Sequence, residues 1–283
     1  MAQVITILLP DDNPNGIKII DLANFNSEVF VVPRNKLKDL GKRSEVNQAG
    51  VYFLFGAGED PSRQIVYIGQ SEKFYQRLSN HDAEKEFWET GVIITNKNLD
   101  SADIKYLESK SIKLAKHVDR YDIENKTKPE PEEARLSEHK RIVNDELFSK
   151  IQFILNFLGF TLFQDIHDLK KDTEEKYFCE DKKNKDARGS GLLLENGEFV
   201  VYKGSLVRIA ERRGLPMSSR NLRQKLQNDG VLKKENDKSF IFTKDHIFRS
   251  PSAAGDVIMG RSVNGWTQWE DKNGKTLDEN KRK

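Results

Sequence analysis

The chain has 283 residues, enough for two modest domains each with its own core, and its 36% hydrophobic and 33% charged residues suit a heavily solvated surface. No apolar run approaches bilayer-spanning length, and the N-terminus MAQVITILLPDD lacks a basic region and meets Asp11 and Asp12 too early for a secretory signal, so no membrane partner and a cytoplasmic location are expected. The single cysteine, Cys179, excludes an internal disulfide framework and any cysteine-rich zinc site, while a net charge of +2 says little about partners.

Residues 3–9 and 28–32 are short and β-branched, the pattern of strands. Pro33 opens a short helix over PRNKLKDLGKR, since its missing N–H costs little in a first turn. Residues 1–47 carry no evident chemistry and are read as an N-terminal extension, an extra sheet edge or a docking element. Two apolar, aromatic runs, 50–55 (GVYFLF) and 64–68 (QIVYI), flank the turn-rich stretch GAGEDPSR, which predicts a β-hairpin. A helix is expected from about Ser71 to Asn80, a strand over 91–95, and a helix over SADIKYLESKSIKLAKH. Asp100 or Ser101 can cap that helix, and its basic C-terminal end suits the helix dipole.

Residues 126–135, with two prolines and dense charge, read as a linker. A long helix is expected from Ser137 to about Leu158, where Ile142, Val143, Leu147, Ile151, Ile154 and Leu158 recur at helical spacing and Gly159 can stop it. The charged stretch 165–189 marks a domain boundary. Beyond Gly191, strand-like pieces (FVVYKG, SFIFT) alternate with basic helices. The expected fold class is α+β, organised as an extension (1–47), a sheet-and-helix module (48–130), a helical and charged linker (131–188) and a small C-terminal domain (189–283).

The chemistry-bearing residues lie in the second of these parts. Strand alternation puts Tyr52 on one sheet face, and hairpin pairing can bring Tyr67 beside it, so two phenols would aim polar tips at one place. Two core tyrosines with satisfied hydroxyls are the plainer alternative. Gly69 lets the backbone leave the strand closely and enter the helix. Arg77 and His81 stand at i and i+4, on one helix face. A guanidinium suits a phosphate and a histidine can hold a proton near neutral pH, although a histidine here can also simply cap the helix. Glu108 falls within the mostly apolar face outlined by Ile104, Leu107, Ser111, Ile112, Leu114 and Ala115. Burying an unpaired carboxylate costs on the order of several kcal/mol, so it needs a reason, unless it pairs at the stripe's edge with Lys105 or Lys116.

Taken in order, Gly50-Val51-Tyr52, Tyr67-Ile68-Gly69, Arg77, His81, Glu108 and Asn125 resemble the GIY-YIG nuclease superfamily, over roughly residues 48–130. GVY stands where the family name has GIY, and the two tyrosines lie a few residues further apart than is usual. The surplus falls in the hairpin loop, where length is tolerated. The resemblance implies a small antiparallel sheet flanked by helices and a metal-dependent endonuclease that hydrolyses DNA phosphodiester bonds. It implies that Tyr52, with Tyr67 or His81, handles the attacking water's proton, either tyrosine remaining open as the base. It further implies that Arg77 binds the phosphate, that Glu108 is the protein ligand of one Mg2+ or Mn2+ ion, and that Asn125 positions substrate or site residues. Gly69 and Lys73 would lie beside the DNA backbone. RNA cleavage and a catalytically silent, nucleic-acid-binding version of the module are the competing readings.

Towards the C-terminus, Lys203 to Lys234 holds nine basic residues against two acids, enough to neutralise phosphates or merely to solvate a helical face. The segment SSRNLRQKLQNDGVLKK followed by SFIFT suggests a basic helix and hairpin in a small winged-helix-like arrangement. Ser250 and Ser252 around Pro251 look like a helix N-terminus whose N–H groups could receive a phosphate. Trp266 and Trp269 either stack on bases or close a core. Residues 190–280 resemble the RAMA domain of restriction and methylation systems, and a domain of unknown function that often trails GIY-YIG modules, in S-P-S-A-A, N-G-W and W-x-x-x-x-G-x-x-L. That resemblance implies a DNA-contacting module, with Arg220, Arg223, Lys225, Ser250, Ser252 and Trp266 as the expected contacts.

Overall fold

Period-two alternation in the first half of the chain distributes apolar residues over both faces of one sheet, so helices are needed on each side. The computed structural model describes residues 2–23, 25–43, 48–58, 63–125, 136–166, 175–183 and 185–282. They form an α+β protein of two compact units, Met1–Phe163 and Gln164–Lys283.

In the first unit the strands are β1 (Ile5–Leu8), β2 (Lys18–Leu22), β3 (Glu28–Pro33), β4 (Gly50–Ala57), β5 (Gln64–Ser71), β6 (Trp88–Thr95) and β7 (Asp122–Ile123). Their spatial order is β1-β2-β3-β6-β4-β5-β7. Neighbours are antiparallel, apart from the parallel pair of β5 with β7. One face carries Val51, Phe53, Phe55, Val66, Ile68, Val92 and Ile94 against helices α3 (Ser101–Val118) and α4 (Glu138–Phe157). The other carries Phe30, Val32, Tyr52, Leu54 and Ile93 against α1 (Leu37–Leu40) and α2 (Phe74–Glu84). Asp100 caps α3 in a reciprocal capping box with Asp103, which satisfies free N–H groups at both residues. Ser137 caps α4.

Residues 1–47 form an edge of the sheet, one of the two expected alternatives: β1 is the edge strand, and β3 pairs with β6 along its whole length, from Glu28↔Thr95 to Pro33↔Thr90. Other expectations change. The strand Lys18–Leu22 went unexpected. The helix expected over 33–43 is a 3-10 turn, Arg34–Lys36, followed by the single turn α1. In α4 the buried stripe is Asn144, Leu147, Phe148, Ile151, Ile154 and Leu155, while Ile142 and Val143 point outward at 63% and 54% exposure. Because α4 packs into the first unit's core, the region 131–188 does not behave as one linker. The expected linker 126–135 lies outside the described residues, as do residues 59–62 of the hairpin loop and 167–174 of the expected boundary.

The second unit is a sheet ordered β12-β13-β11-β9-β10-β14, with β8 beside β9. Its strands are β8 (Tyr177–Glu180), β9 (Arg188–Leu193), β10 (Phe199–Val201), β11 (Leu206–Arg208), β12 (Leu232–Lys234), β13 (Ser239–Phe242) and β14 (His246–Phe248). Helices α5 (Met217–Asn228), α6 (Pro251–Met259), α7 (Gly265–Gln268) and α8 (Leu277–Lys281) accompany them. Phe199, Val201, Val207, Phe242 and Phe248 meet Leu222, Leu226, Val257, Ile258 and Trp269 in its core. The expected basic helix and following hairpin are present, but the hairpin β12–β13 is the edge of a larger sheet. Strand β13 is paired on both sides, with β11 and with β12, and α5 lies between β11 and β12 in the chain.

Candidate active site

Tyr52 lies opposite Gly69 in the β4–β5 ladder, and Tyr67 lies opposite Leu54. The two tyrosines are thus diagonal neighbours on the α2 face, with ring centroids 6.1 Å apart. Glycine at 69 has a specific cause, because a Cβ there would overlap the Tyr52 ring. Only a bare backbone lets the phenol lie flat across the neighbouring strand. Phe74 packs edge-on to Tyr52, with ring centroids 5.9 Å apart.

Helix α2 brings two polar groups to the Tyr52 hydroxyl. His81 Nε2 is 2.8 Å away and Arg77 Nε, which can only donate, is 3.4 Å away. Since Arg77 donates to the phenol oxygen, the phenol's own hydrogen is free to go to His81 Nε2. His81 is buried and its Nδ1 has no partner. Burial, then the positive charges of Arg77 and Lys85, push the imidazole down to about 4, so it is neutral at physiological pH. Burial and the neighbouring Tyr67 hold the Tyr52 hydroxyl well above the ordinary phenol range, so it too is neutral. The hydrogen bond to Tyr52 in turn raises Arg77. His81 is not a helix cap by its side chain; only its carbonyl serves the end of the helix, accepting from Lys85 N–H at 2.8 Å.

Glu108 stands on α3, which packs against the opposite sheet face, and reaches the β5 edge, where the Gln70 backbone hydrogen-bonds its carboxylate. Burial raises it to about 7, against the opposing pull of Arg77 first and Lys105 more weakly. The site therefore sits at Gly69 and Gln70, between α2 and α3, and Arg77 is the cation that faces both Tyr52 and Glu108. Lys116, the other partner considered for Glu108, is not among the groups that perturb it. Among the described residues no group of three His, Cys, Asp or Glu side chains is arranged to hold a metal ion. A lone, half-buried carboxylate fits a hard cation that keeps most of its waters, as Mg2+ does, and does not fit a closed zinc cage.

Asn125 is placed differently from the other site residues. Its side-chain amide pairs with both backbone groups of Ile68, accepting from N–H at 3.0 Å and donating to C=O at 2.7 Å. Together with Glu124 N–H to Val66 C=O at 2.9 Å, this continues the β7 ladder along β5. With one bond accepted and one donated, Asn125 holds the Tyr67-Ile68-Gly69 segment in register. Lys73 is exposed at the start of α2, its N–H donating to Ser71 Oγ at 2.9 Å. The residue missed by sequence reading is Lys85, whose ammonium lies 4.6 Å from the Tyr67 ring centroid. Its spacing from His81, one further helical turn, was the available signal.

In the second unit, the expected nucleic-acid contacts are mostly committed internally. Arg223 is 1% exposed. Its guanidinium donates to the carbonyls of Val257, Arg208 and Ile209 and pairs with Glu211. It therefore has no surface to offer a phosphate. Arg208, another of the counted basic residues, is also buried, between Asp181 and Asp186. Ser250 caps α6, accepting from Ala253 N–H at 3.2 Å, and Ser252 Oγ accepts from Gly265 N–H at 3.0 Å. Trp266 lies under the Arg282 guanidinium, 3.5 Å from the ring centroid, and Trp269 is a core residue whose indole donates to Pro251 C=O. Arg220 remains largely exposed beside Glu211, and Lys225 is half-buried.

No helix among the described residues is long and apolar enough to cross a membrane. No curated protein and no solved structure matches the chain. Residues 178–281, from β8 to the end of α8, match the family model described as Domain of unknown function (DUF4357), so the second unit is similar to that family.

Proposed function

We propose that the first unit is a metal-dependent endonuclease of the GIY-YIG type, acting on DNA phosphodiester bonds. The observation that carries this reading is the Tyr52 hydroxyl held between His81 and Arg77, beside a desolvated glutamate. Such a set has a proton acceptor, a fixed cation and one carboxylate, which are the parts that phosphodiester hydrolysis requires.

In this reading Arg77, exposed on one side and bonded to Tyr52 on the other, receives a non-bridging phosphate oxygen in charge-assisted hydrogen bonds. Tyr52 is fully buried and its oxygen already serves Arg77 and His81, so the attacking water donates to the half-buried Tyr67 instead. As the P–O bond forms, the water's proton passes to the Tyr67 oxygen and the phenol's own proton passes to solvent; the P–O bond to the leaving oxygen breaks, and that oxygen takes a proton from solvent. Glu108 would hold Mg2+ or Mn2+, which supplies Lewis acidity against the charge on the phosphate and the leaving oxygen. Asn125 holds Ile68, and through it Tyr67 and Gly69, in register. The second unit would contact DNA through its exposed basic side chains, Arg220 foremost, in keeping with a RAMA-like module.

Cleavage of supercoiled, branched and single-stranded DNA, and of RNA, with Mg2+ or with EDTA, tests the reading. Metal-dependent cutting by the natural chain that is lost in Glu108→Ala is the expected result. DNA binding with no cutting of any substrate would instead identify a silent, binding version of the module.

A further inference from the structure

Lys85 ends α2 one turn beyond His81, and its side chain folds back over the site with 17% exposure. Its ammonium rests 4.6 Å from the Tyr67 ring centroid and 3.9 Å from Glu124 Oε1. Glu124 directly precedes Asn125, the clamp on Ile68. The Tyr67 ring in turn lies 4.8 Å, centroid to centroid, from the His81 imidazole. One cation thus joins the end of α2, the Tyr67 ring and the end of the β7 ladder.

His81 differs in one respect from the histidine of a hydrolytic triad, where a carboxylate behind the ring fixes the tautomer and stabilises the imidazolium. Here the second ring nitrogen is buried without a partner. The ionisable groups facing the ring are Tyr52 from β4, Tyr67 from β5, and Arg77 and Lys85 from its own helix. Asp82, next in sequence, is turned to Arg34, and Glu124 is turned to Lys85. Two cations and no carboxylate around a buried imidazole disfavour its charged form.

We propose that Lys85 is a positioning residue, which seats the Tyr67 ring against His81 and keeps the imidazole as acceptor of the Tyr52 hydroxyl hydrogen. Its consequence for catalysis rests on the nuclease reading; its effect on His81 does not. A cation over an aromatic face is itself attractive, so Lys85 fixes the ring while acting on the imidazole through space.

The test is an NMR titration of the His81 ring in the full chain, for the natural protein, Lys85→Gln and Lys85→Arg, alongside Mg2+-dependent plasmid cleavage over the same pH range. The natural protein is expected to titrate near 4. In Lys85→Gln the midpoint rises by at least about half a unit, roughly a threefold change in the protonation equilibrium, and the Tyr67 ring signals move. Lys85→Arg retains both. An unmoved His81 midpoint in Lys85→Gln, or an equal shift in both variants, overturns the proposal, even if cleavage falls uniformly at all pH values. A shifted midpoint in Lys85→Gln, with a natural protein that cuts no nucleic acid, supports the role of Lys85 and removes the nuclease reading instead.

Discussion

At the scale of single residues, Glu108 is a site carboxylate whose surroundings work against its ionised form. Its value rises from 4.5 to about 7, chiefly through burial. A carboxylate raised in the folded state holds its proton more tightly there than in the unfolded chain, so stability falls as pH climbs from 4.5 to about 7 and the whole loss is present above that. Glu108→Gln has no charge to desolvate. It is therefore expected to melt above the natural protein at pH 8 and level with it at pH 4, while cleaving at least about a hundredfold more slowly, since the Lewis acid term is of several kcal/mol. On the proposed nuclease reading Mg2+ competes with the proton, so it should raise the melting temperature of the natural chain more at pH 8 than at pH 5.5 and leave Glu108→Gln unmoved. Thermal melts at these pH values, with and without metal, check all of this. A Gln variant less stable at pH 8 would mean that Glu108 is held by ion pairs and is not strained by burial.

At the scale of elements, the β4–β5 hairpin builds the site by register, and Gly69 is where the register can be probed. Gly69→Ala drives a Cβ into the Tyr52 ring, which is pinned by Phe74 and His81 and cannot easily yield. It is expected to cost about 1–3 kcal/mol, the usual range for overpacking, and to lower cleavage with it. Denaturant melts and plasmid nicking measure the two effects, and a variant of full stability and activity would contradict the packing described. Helix α5 offers a second contrast. Arg223→Ala removes a buried cation from three carbonyls and Glu211 and should destabilise the second unit by about 3–5 kcal/mol. Arg220→Ala, exposed beside the same glutamate, should change stability by less than about 1 kcal/mol. Equal effects would place Arg223 at the surface after all. The hairpin, α3 and Glu108 were legible in the sequence because alternation and helical period are local signals. Arg223 was not, because what holds it lies far along the chain, at the carbonyl of Val257. For Asn125 a positioning role was expected, but its distant partner, Ile68, was not readable from the sequence. A basic run reads as a basic surface until its partners are known. The outward turn of Ile142 and Val143 was hidden for a similar reason: their spacing fits the helix, but the core's side is set by the sheet on which α4 lies.

At the scale of the whole molecule, the division at Phe163 and Gln164 makes a sharper claim than the motif alone. The motif spans roughly residues 48–130, and a fragment cut to it would lose β1–β3 and α4. Leu147, Phe148, Ile151, Ile154, Leu155 and Leu162 are all buried in the core shared with Val51, Phe53 and Ile94. At about 1.5–3 kcal/mol for each large apolar side chain, their removal forfeits on the order of 10–20 kcal/mol, which is as much as the entire stability of a typical domain. Loss of β3 would also strip β6 of one partner from Thr90 to Thr95 and leave a long apolar edge, an invitation to aggregate. Fragment 48–130 is accordingly expected to be unfolded or insoluble. Fragment 1–163 keeps every strand of the first sheet, together with Phe163, whose ring packs 6.0 Å from Phe53 and 5.3 Å from Phe148. It should fold cooperatively and, on the proposed nuclease reading, keep the metal-dependent cutting, with weaker DNA affinity and a shallower salt dependence than the full chain if the second unit supplies phosphate contacts. Circular-dichroism melts of both fragments, and cleavage by 1–163 at two salt concentrations, decide the matter. A stable, active 48–130 would make the added strands and α4 dispensable, and an inactive but folded 1–163 would place part of the catalytic machinery in the second unit.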